Sequence, residues 1–501
     1  MMAHSMRKQR AQETKNGKGA RGAARLLVAA VLLGGCGGEP EGPGVVVPVG
    51  WSESLGTPKV KRAPNPSRDV DWNGDGFADL VTLDTSRDSN WVAFYPGGET
   101  GIRFDEGHYR RAPGASYAPL TWVSHAGDVD ADGYSDLLVG KDLLTKQSQV
   151  FLYRGGPNGP TDPEAVVLEE STPPTEERLG PRGYPAGDLN GDGFADVLVI
   201  RFFTHLAVHY GAAGGPNGKP DLELANDGGG RQILGAVPVG DLQNDGYDDV
   251  LIAWQNPNTD ELAVNLHLGG PSGLATEGPL MPGDLTFGND FGRLGGLSFD
   301  FDADGTGDLV GFNWPNGFLL PGPNDNDEPI RVWYSWLRGD AAGFFGNLRG
   351  LVSWKASSPV YGKPSEGVGA DVNGDGHTDV IGSYELVDDG TGPLELNTIR
   401  GIGGFFGGPA RAEQEVGGLD FAVPINQQYI DAANTNFFAR AAGCPGDIDG
   451  DGFEDCVQIG ESRVFLYRGS PEGLRLAEER LLVTEARTVA TRATLVSKLF
   501  R

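Results

Sequence analysis

No stretch of this chain carries a familiar catalytic signature. There is no Gly-x-Ser-x-Gly elbow, no His-Glu-x-x-His, no P-loop and no dinucleotide fingerprint. Histidine is scarce, with seven in 501 residues, and His205 and His209, which share a strand face, have no identifiable third ligand or base. Helix periodicity is missing from about residue 63 to about residue 485. Long apolar runs are missing too. Leu26 to Leu33 is eight residues long, and crossing a bilayer takes about 20. Positive charge is in deficit: 40 Lys and Arg stand against 69 Asp and Glu, a formal net charge of −29. That balance argues against a nucleic-acid partner.

What the chain has instead is one acidic motif, seven times over. Position 1 is Asp71, Asp128, Asp188, Asp241, Asp300, Asp371 or Asp447. Position 3 is Asn73, Asp130, Asn190, Gln243, Asp302, Asn373 or Asp449. Position 5 is always Asp: Asp75, Asp132, Asp192, Asp245, Asp304, Asp375 and Asp451. Position 6 is always Gly, and position 9 is again always Asp: Asp79, Asp136, Asp196, Asp249, Asp308, Asp379 and Asp455. Position 7 varies: Phe77, Tyr134, Phe194, Tyr247, Thr306, His377 and Phe453.

The spacing has a chemical reason. A hard cation such as Ca2+ takes six to eight oxygens, and alternate residues of a tight loop can turn oxygens inward. Positions 1, 3, 5 and 9 supply side-chain oxygens, and the variable position 7 is expected to supply its backbone carbonyl. The Gly at position 6 permits the sharp turn. A polar turn without metal is the bland alternative, and seven copies with four fixed positions disfavour it. An EF-hand needs a bidentate Glu at position 12, where this chain has Thr82, Val139, Val199, Ile252, Gly311, Gly382 or Gln458. The flanks are short β-branched and Leu runs such as Val197-Leu198-Val199-Ile200, so the loop is expected to join two strands of a hairpin. Up to seven Ca2+ ions are expected, with the Gln243 loop among the weaker sites. They would offset about half of the net negative charge.

The N-terminus reads as a targeting segment over residues 1–36. Lys8, Arg10, Lys15, Lys18, Arg21 and Arg25 precede the short apolar core, and Leu33-Gly34-Gly35-Cys36 resembles a bacterial lipoprotein cleavage box with Cys36 as the lipidated residue. The basic region is long for such a segment, which makes Met6 a candidate start. Gly37 rather than Asp after the Cys favours the outer membrane or cell surface by analogy. An ordinary secretory signal, with a periplasmic or secreted product, is the alternative. Contact with the membrane is expected through the lipid alone. Residues 37–62, rich in Gly and Pro, read as a flexible tether. Cys444 and Cys456 bracket the seventh loop and are positioned to face each other. In an exported protein a disulfide is the expected state, with two buried thiols as the alternative.

Successive loops start 53 to 76 residues apart. Each unit shows a strand before the loop, a strand after it and a third ending in a turn, as in Val150-Phe151-Leu152-Tyr153-Arg154 before Gly155-Gly156-Pro157. A fourth must precede the next unit. Four short strands repeated seven times predict an all-β fold, a seven-bladed β-propeller over residues 63–485 with a Ca2+ loop in each blade, followed by a tail over 486–501.

The loops resemble those of FG-GAP and VCBS repeat proteins, whose best-known members are the integrin α-subunit propellers. Phe291-Gly292 matches the "FG" half in one copy, and Val139-Gly140-Lys141 approximates the "GAP" half. The resemblance implies a metal-binding propeller and an adhesive or binding role. Arg338-Gly339-Asp340 matches an integrin-ligand tripeptide, but coincidence is the better reading in a chain this rich in Gly and Asp.

Two function classes follow. One is a surface binding module for a protein or glycan. The other is a Ca2+-dependent polysaccharide lyase or hydrolase on the same scaffold. Binding is preferred because no catalytic motif is visible. The fifth and sixth units are the longest, and extra length in a repeat array leaves as loops. Trp336, with Trp333 as second choice, is the candidate ligand contact; inter-blade core is the competing role for both. The ligand and the oligomeric state are not legible in the sequence.

Overall fold

The structure is a computed structural model that describes residues 51, 55–59, 69–84, 91–111, 120–141, 148–159, 166–171, 182–201, 205–225, 232–256, 258–259, 261–281, 296–313, 333–340, 348–350, 368–387, 398–410, 420–425, 441–459, 463–481 and 486–489. The targeting segment and Cys36 lie outside the described residues, as does Phe291-Gly292. All described residues belong to the compact unit Val45–Arg501.

Among the described residues there are seven antiparallel sheets. The second is representative: Leu120–Gly127, Asp136–Lys141, Ser148–Tyr153 and Val166–Ser171 pair in chain order. The acidic loop joins its first two strands, and position 9 opens the second. In the fourth sheet three strands are described, Gln232–Gly240, Asp249–Asn256 and Glu261–His267. Its edge is covered by a bridge between Asn265 and Leu280 and by the Met281 N–H donating to Val264 O at 2.8 Å.

The second strand of a sheet is apolar without alternation because both of its faces are covered. In Asp196–Arg201, Val197, Leu198, Val199 and Ile200 are all fully buried. Val197 and Val199 pack with Leu138, Val150 and Leu152 of the second sheet. Leu198 and Ile200 pack with Ile233, Val250 and Ile252 of the fourth. Period-2 geometry sends alternate residues to opposite faces, and here each face belongs to a different inter-blade core. Truncating one such Leu to Ala costs about 2–5 kcal/mol.

The first strands of the sheets touch in a cycle. Leu120–Gly127 adjoins Arg182–Gly187, which adjoins Gln232–Gly240, then Gly296–Phe299, Val368–Ala370, Ala441–Gly446 and Ala486–Val489. Ala486–Val489 in turn adjoins Leu120–Gly127. The cycle closes, and the fold is a β-propeller.

Closure differs from the sequence expectation in two places. The expected tail over 486–501 begins with a strand of the first sheet: Ala486–Val489 pairs antiparallel with Leu80–Asp84, Thr82 opposite Val489 and Asp84 opposite Ala486. The first unit therefore takes its inner strand from the C-terminal end rather than from residues before its loop. A ring sealed this way has no open inner edge at the junction. The expected flexible tether over 37–62 is also partly docked. Trp51 Nε1 donates to Glu478 Oε2 at 3.1 Å, its carbonyl accepts from Arg468 Nη1 at 3.0 Å, and the Arg468 guanidinium lies 5.6 Å from its ring centroid. Trp51 packs on the core shared by the first and seventh sheets, and Lys59 Nζ is 3.9 Å from Asp375 Oδ2. An indole with a hydrogen-bonding edge finds both partners here, which Gly/Pro content does not reveal.

Candidate metal centres

The loops are built alike. Position 6 glycines have φ between 89° and 96° in all seven. Position 4 is also left-handed throughout, at Gly74, Ala131, Gly191, Asn244, Ala303, Gly374 and Gly450. Ala131, Asn244 and Ala303 are the only non-glycine residues with positive φ among the described residues. This second left-handed position escapes the sequence reading, because three of its seven occupants are not glycine.

The twofold reversal turns backbone donors onto the carboxylates. In every loop the position 1 Asp accepts the N–H of position 5 on Oδ1 and that of position 6 on Oδ2, at 2.7 to 3.2 Å. The position 5 Oδ1 accepts the N–H of position 7 at 2.9 to 3.2 Å. Position 9 is the most buried member. Its Oδ2 accepts the N–H of position 2, and its Oδ1 accepts the N–H of a glycine beyond the third strand, at 2.8 to 3.2 Å. Those glycines are Gly97, Gly155, Gly211, Gly269, Gly339, Gly407 and Gly469. Position 9 thus staples the loop to the next hairpin, so its constancy among the repeats has a structural cause besides any metal.

Burial raises the position 9 carboxyls: Asp136 to about 8, Asp196 and Asp308 to about 7, Asp249 to about 6, and Asp79, Asp379 and Asp455 well above the ordinary value. Desolvation also lifts Asp71 and Asp447 to about 6. These are carboxylates gathered where their charge is poorly solvated, an arrangement a cation relieves.

In three loops the acidic oxygens converge within 4.8 Å of one another: Asp128, Asp130 and Asp136; Asp300, Asp302 and Asp304; Asp447, Asp449 and Asp455. Asp130 Oδ1 and Asp302 Oδ1 are buried without a hydrogen-bond partner, on side chains 8% and 0% exposed. Orphaned buried oxygens in an all-oxygen donor set fit a hard divalent cation.

Neighbouring loops are joined. The position 8 N–H donates to the position 1 carbonyl of the preceding loop: Ser135 to Asp71, Ala195 to Asp128, Asp248 to Asp188, Glu454 to Asp371 and Ala78 to Asp447, at 2.8 to 3.1 Å. Where position 8 is Ser, Asp or Glu its side chain returns a bond. Ser135 Oγ, Asp248 Oδ2 and Glu454 Oε2 accept the N–H of Asp71, Asp188 and Asp371 at 2.6 to 2.9 Å. Position 7 does more than offer a carbonyl. A Cβ on Gly74 would lie 2.6 Å from the Tyr134 ring, and one on Gly191, Gly374 or Gly450 would meet Tyr247, Phe453 or Phe77 at 2.5 to 2.8 Å. Each of these rings covers the position 4 glycine of the preceding loop. Positions 4 and 8 carried no recognisable signal because their partners sit one repeat away.

The structure joins Cys444 and Cys456 in a disulfide across the first two strands of the seventh sheet. Trp333 and Trp336 belong to the strand Trp333–Leu337, opposite Asn313 and Val310; their side chains lie outside the described residues.

A family profile described as an FG-GAP-like repeat matches residues 71–139 and 128–199. Integrin alpha-PS3 of Drosophila melanogaster is 31% identical over 140 residues, 26% of this chain and 12% of that protein. Integrin alpha-IIb of Mus musculus is 28% identical over 145 residues, 25% of this chain and 14% of that protein. The chain therefore spans about an eighth of the length of these curated relatives. The chain thus carries two FG-GAP-like repeats within a closed ring of antiparallel sheets, and over about a quarter of its length it is similar to integrin α chains.

Proposed function

We propose that the chain is a calcium-stabilised binding propeller, held at a bacterial cell surface by lipid on Cys36, that recognises a protein or glycan. The observation that carries the calcium reading is the convergence of carboxylate oxygens in the loops, with Asp130 Oδ1 and Asp302 Oδ1 buried and unpaired. Positions 1, 3, 5 and 9 would hold the ion. When bound, it neutralises carboxylates that otherwise repel. The chain's own share of the work is to fix those carboxylates by backbone N–H donors before the ion arrives.

The partner surface, in this reading, is the propeller face opposite the metal loops. In each sheet the loop between strands one and two and the turn after strand three leave from the same end. In the fifth and sixth units the strand ends that flank the longer connections, Asn313 and Trp333, Gly350 and Val368, and Ile425 and Ala441, lie at the other end. Length added there enlarges a binding face without disturbing the metal ring.

A glycan and protein binding screen with the purified chain, in calcium and in chelator, tests the reading. Trp333 pairs with Asn313 at the end away from the metal loop, whereas Trp336 pairs with Val310, two residues beyond Asp308. Retention of a ligand that is lost on Trp333→Ala at unchanged melting point therefore supports this face, and loss on Trp336→Ala alone moves the site to the loop end. If Trp336→Ala and Trp333→Ala both melt early and neither alters affinity further, both are core and the site lies elsewhere. Mass spectrometry of protein from its native membrane should show a diacyl or triacyl Cys36. An intact N-terminus there removes the anchor from the proposal.

A further inference from the structure

The residue just before each stapled glycine is Pro96, Arg154, Tyr210, Leu268, Arg338, Phe406 or Arg468. Arginine stands there in three blades, and those are the three whose position 3 is Asp. In the other four, position 3 is Asn or Gln. The structure gives the pairing a geometry. Arg154 Nη1 is 3.1 Å from Asp130 Oδ2, and Arg338 Nε is 2.8 Å from Asp302 Oδ2. Arg468 Nη2 is 2.5 Å from Asp449 Oδ2.

Two of these arginines also reach position 5. Arg338 Nη2 donates to Asp304 Oδ2 at 2.7 Å and Arg468 Nη2 to Asp451 Oδ2 at 2.6 Å. In loops with Asn at position 3, the Asn amide makes that bond itself. Asn73, Asn190 and Asn373 Nδ2 donate to Oδ2 of Asp75, Asp192 and Asp375 at 3.2, 2.9 and 3.2 Å. In the Arg338 and Arg468 loops the guanidinium thus replaces the amide as donor. It also cancels the added charge, so loops with four carboxylates and an Arg match the third loop with its three carboxylates. The three carboxylates of the first loop already face Arg103, whose Nη2 is 2.7 Å from Asp75 Oδ2.

We propose that Arg154, Arg338 and Arg468 are affinity-setting residues for the metal loops: each offsets its blade's position 3 carboxylate and so weakens that loop's hold on a divalent cation. The inference rests on the calcium reading above. A fixed positive charge beside a divalent ion opposes its binding even where water screens the pair. Removing it should tighten the site by about tenfold, the order expected for a unit charge near a divalent ion in a solvated loop.

The test is calcium titration of the full chain against a chromophoric calcium chelator. Arg154 and Arg338 are 40% and 37% exposed, so Met can replace them with little loss of packing, and melting in EDTA checks folding. The double variant Arg154→Met/Arg338→Met should hold two ions per chain about tenfold more tightly than the parent. Adding Asp130→Asn and Asp302→Asn, which converts both loops to the amide type, should return the isotherm to the parent's. If the double variant does not fold, the two single variants are titrated, each with one ion tightened. An unchanged or weaker isotherm in the Met variants, with a parent that binds calcium, overturns the proposal. A parent that takes no calcium overturns the metal reading instead, and the affinity-setting role with it.

Discussion

The Ala78 N–H donates to the Asp447 carbonyl at 2.8 Å, joining the first metal loop to the seventh. These residues stand near opposite ends of the chain. The bond repeats what Ser135 does to Asp71 within the series, so the loops around the junction are linked through their backbones. An ion bound at one loop should therefore stiffen the position 1 carbonyl that the next loop uses.

Calcium should raise the melting point. Binding to the native state alone stabilises by about 2.7 kcal/mol per site at a hundredfold excess over Kd. With several loops filled, a shift of several degrees or more between EDTA and millimolar calcium is expected by calorimetry. Superimposable scans would sink the calcium reading.

The chelated protein should lose stability as pH rises. Burial raises the folded-state values of Asp136 to about 8 and of Asp196 and Asp308 to about 7, from 3.8. The native state therefore binds more protons than the unfolded chain between those limits. The penalty for ionising these groups is absent below pH about 4, grows through neutrality and is complete above pH about 8. In EDTA the melting point should fall from pH 5 to pH 8, and calcium should flatten that slope. A rising profile in EDTA would contradict the burial argument.

Position 4 offers a stabilising substitution. Ala303 holds φ at 61° and Ala131 at 52°, where a residue with Cβ pays about 1–2 kcal/mol. Ala303→Gly should gain up to about 1 kcal/mol, because glycine's larger unfolded-state entropy offsets part of the relief. The opposite change, Gly191→Ala, places a Cβ 2.5 Å from the Tyr247 ring and should cost more than the Ala303 variant gains. Urea titration of both reads the contrast; equal and small effects would mean the loop backbone adapts freely.

Trp51→Ala should lower the melting point. The variant loses the stack on Arg468, the bond to Glu478 and packing against the core between the first and seventh sheets, together about 1–3 kcal/mol. A free tether predicts no change at all, so an unaltered melting curve would return Trp51 to the tether.

The sequence by itself determined the loops and the fold class. Asp188, Asn190, Asp192 and Asp196 act within one turn of chain, so their spacing is their geometry. Gly193 announces its own reversal by lacking Cβ, and runs such as Val197 to Ile200 announce a strand covered on both faces. What escaped depends on partners distant in sequence. Ala486–Val489 is an ordinary short segment until the ring brings it to Leu80–Asp84. Arg338 is one arginine among many until its strand end delivers it to Asp302 and Asp304. Trp51 lies in a Gly- and Pro-rich stretch whose composition says tether, yet Glu478 and Arg468 hold it. Local pattern encodes what a few successive residues can do alone. Only ring closure in three dimensions decides which blade meets which, and so which charge faces which loop.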